Sequence, residues 1–188
     1  MFNSRLFIGL FDGQAFYFFS INHGYGFVCI FSKRRRFFGI FVEIDKTGSI
    51  TKKAEYKDDV LDGQMSEWYR GGRLSKMHTY KNGQLEGQQV ICYEQGGNLE
   101  VSHYKEGQRD GVTTWFDEKG NKKMTIEYKN GQFEGKQETF YPDGSLKTQA
   151  DYKNGKLQGK VKNFDQSQQL EKKEMIEKEK EAKGKEKK

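Results

Sequence analysis

Proline is almost missing from this chain: among 188 residues there is one, Pro142. Nearly every backbone N–H is therefore free to join a ladder, so long uninterrupted strands are open to it. Cysteine is as scarce. Cys29 and Cys92 are the whole complement, which excludes a disulfide framework and a cysteine-built metal site. Cys92 fits better as a small buried apolar group. Three histidines, His23, His78 and His103, have no Cys or carboxylate at a metal spacing. His78 and His103 fall near equivalent strand positions in consecutive units, where an approach between them is open, but two residues alone make no site. Apolar residues are few, 34% against a usual ~45–50%, and 32% are charged, which argues against a thick two-layer core. Motifs of chemistry are absent as well. There is no G-x-S-x-G, no Walker loop and no dinucleotide fingerprint, and the acids do not recur in a convergent pair. The sequence thus predicts no catalytic residues, no cofactor, no metal and no small-molecule substrate.

The net charge of +6 is unevenly placed. Residues 1–38 hold five basic residues against one acid, and 171–188 hold eight lysines against six glutamates. The stretch between carries twenty of each sign, so it lacks the basic stripe of a nucleic-acid binder.

What the chain does have is a period. Tyr56, Tyr80, Tyr104, Tyr128 and Tyr152 stand 24 residues apart, each followed by lysine. Seven positions after each tyrosine comes a glycine: Gly63, Gly87, Gly111, Gly135 and Gly159. Twelve positions after it comes an apolar residue, giving the series Ile44, Trp68, Cys92, Phe116, Phe140 and Phe164. A fixed period of this length means a repeat architecture. Each unit reads as two short strands and two turns. One turn is Asn-Gly, as in Asn82-Gly83, Asn130-Gly131 and Asn154-Gly155, the strongest short hairpin signal. The other centres on Gly48, Gly72, Gly96, Gly120 and Gly144. Between turns the alternation is period two: Leu146, Thr148, Ala150 and Tyr152 share a face. In the unit after Gly96-Gly97, Leu99, Val101 and His103 fall out of phase with Tyr104, which predicts a β-bulge. One face is expected to carry the apolar series with the tyrosines as its core. On the other face Tyr69, Tyr93, Trp115 and Tyr141 form a row of aromatics that reads as anchors for a protein partner.

The ends differ. Residues 1–38 hold ten of the fifteen phenylalanines and close on Lys33-Arg34-Arg35-Arg36. A membrane segment over 15–31 is the rival reading, but Asn22 and His23 interrupt a run already short of the ~20 apolar residues a spanning helix needs. The favoured reading is a leader or a cap for the first repeat. Residues 171–188 alternate Lys and Glu and read as a helical or disordered tail.

The unit Y-K-N-G-x-Φ-x-G-x-x-x-x-F-Y-x-x-G-x-L resembles the MORN-repeat variant found in YwqK-family antitoxins. Tyr128, Asn130, Gly131, Gly135, Phe140, Tyr141, Gly144 and Leu146 carry the likeness, which spans residues 39–170. Asp58-Asp59 in place of Asn-Gly and Gln168 in place of the late glycine depart from it. The resemblance implies an all-β fold, an elongated single-layer antiparallel meander of tandem 24-residue hairpins. It implies a non-catalytic, bacterial, cytoplasmic scaffold that binds a protein and neutralises a cognate toxin by forming a complex. The alternative is a membrane-associated repeat scaffold.

Overall fold

The computed structural model describes the backbone of residues 6–11, 14–21, 24–30 and 39–170, with side chains from 39 to 170. The basic cluster at 33–36 and the Lys/Glu tail at 171–188 lie outside the described residues. All the described strands belong to one open antiparallel sheet of sixteen, and the long ones follow one another in chain order. The first three are β1 (Leu6–Phe11), β2 (Gln14–Ile21) and β3 (Gly24–Ile30). Next come β4 (Gly39–Ile44), β5 (Ile50–Lys57), β6 (Val60–Trp68), β7 (Leu74–Lys81), the short β8 (Gln84–Leu85) and β9 (Gly87–Cys92). Then follow β10 (Asn98–Lys105), the short β11 (Gln108–Arg109), β12 (Gly111–Phe116) and β13 (Lys122–Lys129). β14 (Gln132–Phe140), β15 (Leu146–Lys153) and β16 (Lys156–Asn163) complete the meander. The interval 15–31 holds β2 and β3, and β3 pairs in register with β4, Val28 opposite Phe41. Among the described residues no helix is long and apolar enough to cross a membrane.

Turn chemistry sets the hairpins. At each first turn two successive residues have positive φ, as at Asn82 (49°) and Gly83 (80°) or Asn130 (47°) and Gly131 (76°). That is the type I′ geometry that matches strand twist. Glu106-Gly107 and Asp58-Asp59 adopt it too, although glutamate, unlike glycine, asparagine or aspartate, is ill at ease there. At the second turn the residue thirteen after each of Tyr56, Tyr80, Tyr104 and Tyr128 closes the loop with paired backbone bonds. Tyr141 N donates to Ser145 O at 2.8 Å, and Gly144 N to Tyr141 O at 2.9 Å. The register slips at this turn in every unit, for example between Thr139 and Phe140. The expected bulge near Gly96-Gly97 is present, between Asn98 and Glu100. It leaves Val101 and His103 on the face away from Tyr104.

The core differs from the expected one. The apolar series sits at strand ends beside these bulges, and of its members only Cys92 is buried; Phe116, Phe140 and Phe164 are half-buried. The buried row runs through the middle of the sheet on the tyrosine face, one residue per strand: Ala54, Met65, His78, Gln89, Ser102, Thr113, Ile126, then half-buried Gln137, and Ala150. Adjacent members are cross-strand partners, as Met65 is of His78 and Thr113 of Ile126. Small and polar side chains suffice because the tyrosine row shields them on one flank. There Phe133 is wedged edge-on between Tyr128 and Tyr152, with ring centroids 5.2 and 5.3 Å away.

Neighbouring units are tied by three hydrogen bonds that repeat with the period. The N–H of each turn glycine donates to the carbonyl five residues after the preceding tyrosine: Gly83 to Leu61, Gly107 to Leu85, Gly131 to Arg109 and Gly155 to Phe133, at 2.7–2.9 Å. The acid six after each of Tyr56, Tyr80, Tyr104 and Tyr128 accepts from the next turn's first N–H. Asp62 receives Asn82 N, Glu86 receives Glu106 N, Asp110 receives Asn130 N and Glu134 receives Asn154 N. The third tie comes from tyrosine hydroxyls and belongs to the candidate site.

Candidate functional site

Tyr69, Tyr93 and Tyr141 occupy equivalent places, thirteen residues after a repeat tyrosine. Each is half-buried, and each donates its hydroxyl to a backbone carbonyl 23 residues on: Tyr69 to Cys92 (2.8 Å), Tyr93 to Phe116 (2.8 Å) and Tyr141 to Phe164 (3.1 Å). They staple one unit to the next. Their hydroxyls are committed within the molecule, which leaves ring surface as what they offer a partner. The same position in the other units holds Asp45, Asp117 and Asp165, which turn inward instead. Asp117 accepts from Lys119 N and Asn121 N, and Asp165 from Ser167 N at the start of a helical turn over 166–170. Hydrogen bonds to Thr47, Asn121 and Ser167, respectively, hold the carboxyls of Asp45, Asp117 and Asp165 below the usual range. Ser145 and Gln166 draw that of Asp143 down to about 2.

Trp115 does not join the three tyrosines. It is eleven residues after Tyr104, its strand partners are Glu100 and Met124, and so it lies on the face of the repeat tyrosines. The expectation of four aromatics in one row on the opposite face fails because Asp117 takes the equivalent position in that unit.

Around Trp115 the repeat is broken in three coordinated ways. Arg109 stands where other units have Leu61, Leu85, Phe133 and Leu157. Glu100 stands where they have Lys52, Lys76, Met124 and Thr148, and Trp115 replaces Glu67, Ile91 and Thr139. The substitutes find one another. Arg109 Nη2 donates to Glu100 Oε1 at 2.6 Å, and Trp115 Nε1 donates to Glu100 Oε2 at 2.8 Å. Arg109 Nε donates to the Tyr104 hydroxyl at 3.1 Å and Nη1 to Thr113 Oγ1 at 3.4 Å. The guanidinium carbon lies 5.5–5.7 Å from the ring centres of Tyr104, Trp115 and Tyr128, within cation–π range. Burial opposes the arginine's charge, but Glu100 and the tyrosines outweigh it, and its pKa is raised. Glu100 is only 7% exposed, so the pair is a fixed polar centre. Beside it opens a depression of about 460 Å³ with largely apolar walls, formed by Tyr93, Leu99, Trp115, Phe116, Met124 and Lys123.

The same face is different in the earlier units. The strand positions equivalent to Glu100 and Trp115 there form an alternating charge ladder of Glu43, Lys52, Glu67 and Lys76. Glu67 lies 3.8 Å from both lysines, contacts of little energy at such exposure. The two histidines do not meet. His78 is buried on the tyrosine face, where desolvation lowers its pKa, while His103 is exposed on the other face with Nδ1 3.2 Å from Val112 O. Among the described residues, no three His, Cys, Asp or Glu side chains form a group able to hold a metal ion.

A single-layer sheet of stapled 24-residue hairpins defines the class: a β repeat scaffold. The particular repeat follows from comparison. The family model for the MORN repeat variant matches residues 109–130 and 133–154, which begin at Arg109 and take in Trp115 and the Tyr128–Phe133–Tyr152 stack. These two segments, 44 of the 188 residues, are similar to the MORN repeat variant, and repeats of that kind are in general protein- or membrane-binding modules. No curated protein matches it.

Proposed function

We propose that the chain is a non-catalytic protein-binding scaffold, of the antitoxin or immunity type that occupies a cognate toxin in the cytoplasm. One observation carries the reading. In a scaffold whose positions otherwise serve unit-to-unit stacking, two successive units depart in a concerted way and gather Glu100, Arg109 and Trp115 beside an open apolar depression. Apolar walls with an aromatic and an arginine at hand are the composition of a binding hot spot. The resemblance to YwqK-family antitoxins supports a toxin as the partner.

The test is to co-express the full chain with the product of the open reading frame beside its gene. The expected result is rescue of growth and a stable one-to-one complex in size-exclusion chromatography. Met124→Glu, which places a charge in the depression wall, should abolish the complex while the thermal transition is retained. A complex unaffected by that substitution would overturn the placement of the site. Recovery of the protein with membranes, and no complex, would replace the toxin reading with the membrane-associated one.

A further inference from the structure

Among the described strands, β16 is left open on one side. β16 pairs with β15 on one side only, it ends the strand order, and every one of its eight residues is exposed. Among the described residues, the chain after β16 does not cover its outer edge. As far as Leu170 it returns to the β14–β15 turn, where Gln166 Nε2 donates to Asp143 Oδ2 at 3.2 Å and Gln169 Nε2 to Leu146 O at 3.0 Å. An edge strand of this kind presents every second N–H and C=O outward, ready to accept another strand.

The side chains say what kind of strand. Val161 is the equivalent of Met65 and Gln89, each 8% exposed, and of Thr113, 0% exposed, yet Val161 itself is 45% exposed. Leu157 pairs with Tyr152 as Phe133 does with Tyr128, but no further tyrosine closes over it, and it is 44% exposed. Both lie on the tyrosine face, at the ends of rows that are covered in every earlier unit. The alternate positions Lys156, Lys160 and Lys162 carry positive charge, β16 contains no acid, and among the described residues none of the three forms an ion pair. Gln158 sits where Asp62, Glu86, Asp110 and Glu134 hook the following turn; its Nε2 folds back onto Lys156 O at 3.0 Å.

We propose that the β16 edge binds an extended segment of a partner protein by antiparallel strand addition, the segment alternating apolar and acidic residues. Its apolar side chains complete the rows ending at Leu157 and Val161, and its acids face Lys156, Lys160 and Lys162. A second copy of this chain is a poor occupant. Antiparallel self-pairing that matches Leu157 to Val161 sets Lys156 against Lys162, and like charges directly opposite are unfavourable. The inference rests on the protein-binding reading of the array but uses a surface apart from Trp115, so each can fail without the other.

Hydrogen exchange on the full chain, with and without synthetic peptides, tests it. An alternating valine–glutamate peptide should slow exchange across 156–163 by about tenfold and leave β5 to β7 unchanged. A valine–lysine peptide and a serine–glutamate peptide should not. The K160E/K162E variant should reverse the preference between the two valine peptides, and Leu157→Ser with Val161→Ser should lose both. The proposal is overturned if valine–glutamate gives no protection or serine–glutamate protects equally. It is also overturned if the K160E/K162E preference is unchanged, or if β16 is protected in proportion to protein concentration without peptide.

Discussion

Arg109 is held by a carboxylate, three aromatic rings and a threonine hydroxyl, and its removal exposes the asymmetry of buried charge. Arg109→Leu restores the residue type of the other units but leaves Glu100, 7% exposed, without its counter-ion. A loss of about 3 kcal/mol is expected in chemical denaturation. The double variant Arg109→Leu with Glu100→Met should return to within about 1 kcal/mol of the parent, because two matched apolar groups replace a costly pair. A loss in the double variant equal to the sum of the losses in the two single variants would show that the pair contributes no coupling. The tyrosine staples are simpler. Tyr93→Phe keeps the ring and removes the bond to Phe116 O, for an expected cost of about 1 kcal/mol. Thermal unfolding indistinguishable from the parent would mean that water replaces that bond without loss.

Turns and strands follow the repeat, and the exceptions are instructive. Glu106 occupies a left-handed position with φ 50°, where asparagine is at ease and glutamate is not. Glu106→Asn should raise stability by roughly 0.5–1 kcal/mol, read as a higher melting temperature, since the N–H that Glu86 accepts is unchanged. A lower melting temperature would mean that the Glu106 side chain holds something the turn needs. Much of this level was legible in the sequence: the period, the Asn-Gly turns, the second-turn glycines and the shared face of Leu146, Thr148, Ala150 and Tyr152. The core row was not. Gln89, Ser102 and Thr113 carry no apolar signal, and they are buried only because the flanking aromatic row covers them. Trp115 was assigned to the wrong face because one-residue register decides the side, and a bulge at every second turn shifts it. The acids at 62, 86, 110 and 134 recur with the period in plain view. Their task, however, is to hold the N–H of a turn twenty residues away, a contact that neither composition nor alternation encodes.

Across the molecule, aspartates at the second turns respond to acid in concert. Asp143, brought down to about 2 from 3.8 by its hydrogen bonds to Ser145 and Gln166, binds its proton less readily folded than unfolded. Its contribution is therefore complete above pH ~4 and lost as the pH falls through ~2. Asp45, Asp117 and Asp165 shift in the same direction, and Asp110, which accepts from Asn130 N, adds to them. The melting temperature should fall steeply between pH ~4 and ~2, and Asp143→Asn should make that fall shallower. A flat profile in that window would show that the turns keep their shape without the charges.

Every unit carries on itself the hook for its successor, and Gln158 marks where the hooks stop. Length in this molecule is thus written as a count. Copying any one 24-residue segment from the interior would insert both a hook and its catch, and would lengthen the sheet by two strand spacings, about 9–10 Å. The array is a ruler graduated in hairpins, and the distance between its Trp115 centre and its β16 edge can be reset by gene duplication without redesigning either end.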